Sequence, residues 1–352
     1  MGKLVFLRSR VMQVLLVFIC HMHWHGDATF AAQATKKIYL TTSSMADKIL
    51  ANGIARHFGF YRDEGLEVEI VLTRASVAIQ GLLGGAADYI NHTSVTPAIM
   101  RGTPLKILLV DSDKPTHYFV VSNKISSAKE LVGKSVGIDD FAGSAGLIAR
   151  ELVVRQGVQP NQVNFRVIGP PPFRLQALMT GAVDATLLNY NLAKYAQTKG
   201  FRTLIYSGDL ISEIGPSLAT TQAKIKNAPD EVYGMVKATL KGYLIMYENP
   251  DEALKFFMQA QKLNDVASAK DSWHARLQRT SDASRAGMAS DEAVADTLQQ
   301  IRSQLETGGA PLQGKDVRPE SVYDFGFAKR ALAELRAEKW DPKKFRYIKK
   351  GA

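Results

Sequence analysis

Gln80-Gly-Leu-Leu-Gly-Gly-Ala-Ala-Asp88 and Gln176-Ala-Leu-Met-Thr-Gly-Ala-Val-Asp184 share Gln, Leu, Gly, Ala and Asp in identical spacing. Each copy reads as the last turn of a helix, a glycine that ends it, and the start of a strand. Glycine just past a helical run suits the left-handed position that closes helices, and the small residues beside it let the chain turn tightly. Asp88 and Asp184 stand 96 residues apart. That interval is too long for a solenoid period and fits two similar α/β lobes.

Around the first copy, short apolar runs alternate with amphipathic ones. Ile38-Tyr-Leu-Thr-Thr42, Glu67 to Leu72, Tyr89-Ile90 and Leu105 to Val110 read as strands. Ile49, Leu50, Ile54 and Phe58 recur at helical spacing, and helices follow Val77 and Ser94. The second copy sits in a matching series, with strands at Ser135 to Ile138, Asn164 to Ile168, Ala185 to Leu188 and Leu204 to Ser207. Alternation of this kind builds α/β lobes around mainly parallel sheets. From about Ala228 the pattern changes to helix after helix, starting at Pro229-Asp-Glu231 and restarting at Asn249-Pro-Asp251.

The start of the chain reads as an export signal. Lys3, Arg8 and Arg10 precede the apolar run Val11 to Cys20, and Ala32-Gln-Ala34 offers a small-x-small cleavage pattern. That run is shorter than the ~20 residues a membrane span needs. Cleavage near Ala34 is therefore expected, with an uncleaved anchor as the alternative. Cys20, the single cysteine, lies in this leader, and bulky Ile19 before it argues against lipidation. The exported chain would then hold no disulfide, thiol nucleophile or zinc-thiolate site. The net charge of +10 favours anionic ligands or surfaces in general. Its basic residues are scattered rather than striped with aromatics, so nucleic acid is not expected.

In open α/β sheets, ligands bind beyond the carboxyl ends of the strands, where loops lead into helix N-termini that accept anions. Here the first lobe offers Ser43 and Ser44, then Arg74 and Ser76, then Asn91, Thr93 and Ser94. The second offers Gly143 and Ser144, then Phe173 and Arg174, then Asn189 and Tyr190. Facing lobes would bring these loops to one cleft. Arg74 and Arg174 are candidate clamps for a sulfonate or carboxylate, since a guanidinium offers paired N–H donors; surface salt bridges are the plainer reading of both. Phe173 and Tyr190 are candidates to stack on a neutral heteroaromatic ring. Trp273 and Trp340 fall in the C-terminal helices, away from these loops, which weighs against an aromatic cage for a quaternary amine.

Enzyme signatures are missing from the sequence: it contains no HExxH pair, no G-x-S-x-G elbow and no G-x-G-x-x-G. His57, His92, His117 and His274 are widely separated, and no nucleophile–base pair can be proposed. Neither a metal nor a cofactor is expected.

Phe58-Gly-Phe-Tyr-Arg-Asp-Glu-Gly-Leu-Glu-Val68, Gly85-Ala-Ala-Asp88 with Arg101-Gly-Thr-Pro-Leu-Lys106, Ile125 to Gly137, Gly181-Ala-Val-Asp-Ala185 and Asn249-Pro-Asp-Glu-Ala253 occur in that order. Together they resemble the SsuA-like solute-binding proteins of ABC importers, the sulfonate, taurine, nitrate and thiamine-pyrimidine receptors. The resemblance implies an α/β, two-lobed periplasmic-binding fold of type II with two strand crossovers, near Phe119 to Ser122 and Ile214 to Ala219. Residues 35–120 and 216–352 would form lobe one, with its helical C-terminal part packed upon it, and 121–215 lobe two. It implies a periplasmic monomer that captures a small solute, with a sulfonate- or carboxylate-like anion expected first, and delivers it to an inner-membrane permease. A sensing subunit and a pyrimidine-processing enzyme on the same fold are the alternatives.

Overall fold

The computed structural model describes residues 35–42, 50–73, 75–115, 117–139, 141, 144–212, 214–278, 280–307 and 317–348, with backbone alone at 75, 76, 144, 278, 304 and 307. The expected leader lies outside these residues. Lys36–Ala352 form a compact unit of their own.

The first series runs β1 (Lys36–Thr42), α1 (Ala51–Phe58), α2 (Phe60–Asp63), β2 (Leu66–Leu72), α3 (Ala75–Leu83), β3 (Tyr89–His92), α4 (Val95–Met100) and β4 (Leu105–Val110). The second runs β5 (Tyr118–Val121), β6 (Ser135–Ile138), α5 (Ser144–Arg155), β7 (Asn164–Val167), α6 (Pro171–Met179), β8 (Ala185–Leu188), α7 (Tyr190–Thr198) and β9 (Arg202–Tyr206). The chain then returns as β10 (Ser217–Thr221). The remaining helices are α8 (Gln222–Asn227), α9 (Pro229–Glu248), α10 (Pro250–Ala260), α11 (Val266–Gln278), α12 (Asp282–Arg285), α13 (Asp291–Thr307), α14 (Pro319–Val322) and α15 (Gly326–Ala337).

These strands form two five-stranded sheets, ordered β2-β1-β3-β10-β4 and β7-β6-β8-β5-β9. Both are mixed. β1 is parallel to β2 and β3, while β10 runs antiparallel to β3 and β4. In the same way β6 is parallel to β7 and β8, while β5 runs antiparallel to β8 and β9. The one strand that opposes the rest is in each case the strand that follows a crossing between sheets. The fold is thus the expected two-lobed α/β arrangement.

The repeat has a mechanical explanation. Gly85 and Gly181 hold φ of 77° and 75°, the left-handed region that a side chain resists. The carboxylate of Asp88 then accepts the Tyr39 N–H at 2.8 Å, and that of Asp184 the Ser135 N–H at 2.9 Å. Each aspartate thereby ties the start of one strand, β3 or β8, to its parallel neighbour, β1 or β6, 49 residues upstream in both cases. Ser135 Oγ adds a second bond to Asp184 at 2.8 Å. Burial works to raise the Asp184 pKa, but these bonds from Ser135 prevail and hold it below the usual carboxylate range.

Packing follows the strand periods. Leu66, Val68 and Ile70 of β2 are buried while Glu67 and Glu69 face out, and β4, apart from Lys106, is apolar and buried on both faces. α9 lies over α1 and the first sheet, burying Met235, Val236 and Ile245. Tyr61 Oη accompanies it, bonded to Asn52 Oδ1 at 3.2 Å and to Thr239 Oγ1 at 2.9 Å.

Candidate functional site

Two segments carry the chain between the sheets, residues 111–117 and 207–216, and they run side by side. Asp111 N donates to Pro216 O at 2.9 Å, Gly215 N to Ser112 O at 2.7 Å, and Ser207 N to His117 O at 2.9 Å. At this junction the β5 register sets Tyr118 opposite both Leu188 of β8 and Tyr206 of β9. Tyr190 follows two residues after Leu188, at the first position of α7. Three tyrosines are gathered by this pairing, with Tyr118 centred 5.7 Å from Tyr190 and 5.1 Å from Tyr206.

Facing them is α11. Trp273 is 2% exposed and packs on Phe257 of α10 with ring centroids 5.3 Å apart. Its other neighbours belong to the core of the first sheet. Between α11 and the tyrosines lies a cavity of about 320 Å³, whose wall also includes Ser112, Asn189 and Arg276. Tyr190 Oη donates to Asp271 of α11, so the two walls are bonded to each other.

The cavity wall is aromatic with a few polar atoms. Asn189 caps α7, its Oδ1 accepting the Leu192 N–H at 3.1 Å. Trp273 Nε1 and Arg276 Nε are both shielded from solvent and have no hydrogen-bond partner among the described residues. Behind Ser112, Asp111 is buried and bonded to Asn91 Nδ2 at 3.3 Å and to the Tyr243 hydroxyl. His117 at the crossing is pushed down to about 4, chiefly by burial and secondarily by the Arg174 charge, against an opposing pull from Asp139.

Of the residues expected in the cleft, Asn189 and Tyr190 reach the cavity. Asn91 is fully buried on Asp111, and Thr93 and Ser94 are half-buried at the start of α4. Phe173 is 58% exposed and outside the cavity wall. Ser43, Ser44, Arg74 and Gly143, and the side chains of Ser76 and Ser144, lie outside what the structure describes. Arg174 is neither a surface ion pair nor a cleft-facing clamp. It is 2% exposed, and its Nε and Nη2 donate to Leu187 O at 3.1 and 3.0 Å, its Nη1 to Gly169 O at 2.7 Å. The physical reason is that strand ends of this kind leave carbonyls without ladder partners, and a planar fork of donors satisfies them.

Trp273 overturns the expectation that it lies away from the cleft, because α11 reaches over to α7 instead of remaining on the outer face of lobe one. Tyr118, Tyr206, Phe257 and Arg276 were not anticipated. Of these, Tyr206 lies in a stretch read from the sequence, the strand expected at Leu204 to Ser207.

Comparison with known proteins supports a solute-binding role. The chain is 26% identical over 230 residues to the riboflavin-binding protein RibY of Chloroflexus aurantiacus, a match covering 61% of this chain and 64% of that one. It is 26% identical over 225 residues to a formylaminopyrimidine-binding protein of Halalkalibacterium halodurans, covering 59% and 65%. The matches thus span just under two thirds of the length of these curated relatives. Among solved structures, the periplasmic sulfonate-binding protein SsuA of Methylobacillus flagellatus KT superposes with a TM-score of 0.66 at 15% identity, over 87% of this chain and 96% of that one, a likeness of fold. A family model described as NMT1/THI5 like matches residues 50–253, more than half of the sequence, and the chain belongs to that family.

Proposed function

We propose that the protein captures a small, flat heteroaromatic solute in the cavity between its lobes and delivers it to an ABC permease from the periplasm. The cavity carries this reading. A volume of about 320 Å³ walled by Tyr118, Tyr190, Tyr206, Phe257 and Trp273 suits a ring system better than a compact aliphatic anion. The binding proteins named for riboflavin and formylaminopyrimidine support the same ligand class. The anion reading loses one of its two candidate arginine clamps, since Arg174 is engaged by main-chain carbonyls. On this proposal the lobes divide at segments 111–117 and 207–216, and closure about them buries the solute.

A thermal-shift panel tests it. Riboflavin, aminopyrimidines, alkanesulfonates, nitrate and carboxylates are each added to the purified protein. A ligand at 100 times its dissociation constant adds ~2.7 kcal/mol, a rise of several degrees. Stabilisation by heteroaromatic compounds is the expected result, with the ligand recovered unchanged by chromatography. Stabilisation by alkanesulfonates alone would return the ligand to the anion class, and conversion of the bound compound would mark an enzyme.

A further inference from the structure

A second cavity, of about 500 Å³, adjoins the first. Tyr118, Tyr190, Tyr206 and Ala275 line both, so the two meet at those side chains. The rest of its wall comes from α7, β9 and α11. Tyr190, Lys194 and Gln197 follow one another at spacings of four and three along α7, and Asp271, His274 and Ala275 at three and one along α11. Residues so spaced share a helix face, and the two helices pack on each other. The chemistry of the two cavities differs. The aromatic wall of the first gives way here to Lys194, Gln197, Thr203, Asp271 and His274. Thr203 is half-buried and the other four are exposed, so none is sealed off from a molecule in this cavity.

These groups are mixed in kind. The Lys194 ammonium only donates, and the Asp271 carboxylate accepts. Gln197 Nε2 donates to Thr203 Oγ1 at 2.9 Å, which leaves the amide oxygen to accept and the threonine hydroxyl to donate. Donors and acceptors thus stand together, and the charges of Lys194 and Asp271 offset each other. An oxyanion can only accept and an ammonium can only donate, so either would leave half of this set unmatched. A hydroxyl group does both. We propose that the second cavity holds a hydroxylated chain borne by the ring, so that the solute is a heteroaromatic ring carrying a sugar or a sugar alcohol. The assignment rests on the ring reading of the first cavity and adds the substituent to it.

Equilibrium dialysis of the full-length protein tests this with matched pairs: lumichrome and riboflavin, uracil and uridine, adenine and adenosine. In at least one pair the hydroxylated member should bind about ten-fold more tightly than the bare ring, as for one or two added hydrogen bonds. Gln197→Met combined with Thr203→Val keeps the bulk of both side chains and removes their polar atoms. The double variant should lose most of that advantage while its affinity for the bare ring stays unchanged. Gln197→Met alone, on an exposed helix face, carries the test if the pair of changes destabilises the protein. Riboflavin 5′-phosphate and uridine 5′-phosphate form the last arm. A gain of about ten-fold over the unphosphorylated parent would mark an oxyanion site and overturn the hydroxyl assignment. Equal affinities within every pair, or an undiminished advantage in the variants, overturn it too and leave the ring reading standing. If no member of any pair binds at millimolar concentration, the ring reading fails and the chain assignment with it.

Discussion

His92 ends β3 at 1% exposure, and neither ring nitrogen has a hydrogen-bond partner among the described residues. Burial lowers its pKa from 6.5 to about 4, because the imidazolium would lose hydration with nothing in exchange. The folded protein therefore binds this proton less readily than the unfolded chain does. The corresponding stability is fully present above pH 6.5 and is lost as pH falls toward 4, by about 3 kcal/mol at full effect. Urea unfolding of the wild type and of His92→Leu between pH 7 and 4 measures it. The variant should lose less stability on acidification; equal slopes would mean that His92 does not titrate as its burial dictates.

Among the helices, α9 is the most closely constrained. It is 20 residues long and crosses α1 at Gly242, where an added Cβ would stand 2.1 Å from Ala51 O. Main chain cannot move aside as a flexible side chain can, so even one methyl forces the helices apart. Gly242→Ala should destabilise by roughly 1–3 kcal/mol despite the better helix propensity of alanine. Denaturant unfolding checks this, and a stabilised variant would show that the two helices are not in contact there. The crossing matters for the site, because Trp273 of α11 belongs to the same core as Ala51 and Tyr243.

Across the whole molecule, the Tyr190–Asp271 bond joins the helix that follows β8 to the helices packed on the first sheet. Tyr190 thus serves twice, with its ring on the cavity wall and its hydroxyl on Asp271 of α11. Loss of the hydroxyl removes a bridge but leaves the ring. Tyr190→Phe should therefore widen the unliganded particle in small-angle scattering, while ligand affinity falls by no more than about a hundred-fold, as for one hydrogen bond to a charged group. An unchanged scattering radius would show that the paired crossing segments alone set the angle between the lobes.

The element order was legible along the chain because helix and strand periods, glycine stops and proline starts are local signals. Leu105–Val110, Ser135–Ile138 and Ala185–Leu188 stand where the apolar runs place them, and the repeat ending at Asp88 and Asp184 carried the two-lobe arrangement. Local signals also found Asn189 and Tyr190, which sit where a strand becomes a helix. They could not find Trp273 or Arg276, since nothing near residue 273 tells which lobe α11 will face. Nor could they separate an arginine aimed at a ligand from Arg174, whose partners are the main-chain carbonyls of Gly169 and Leu187. Sequence by itself determined the elements and their duplication, because those follow from neighbours along the chain. Only the tertiary structure decided what lines the cavity, because that depends on which surfaces meet after the chain has crossed twice between its sheets.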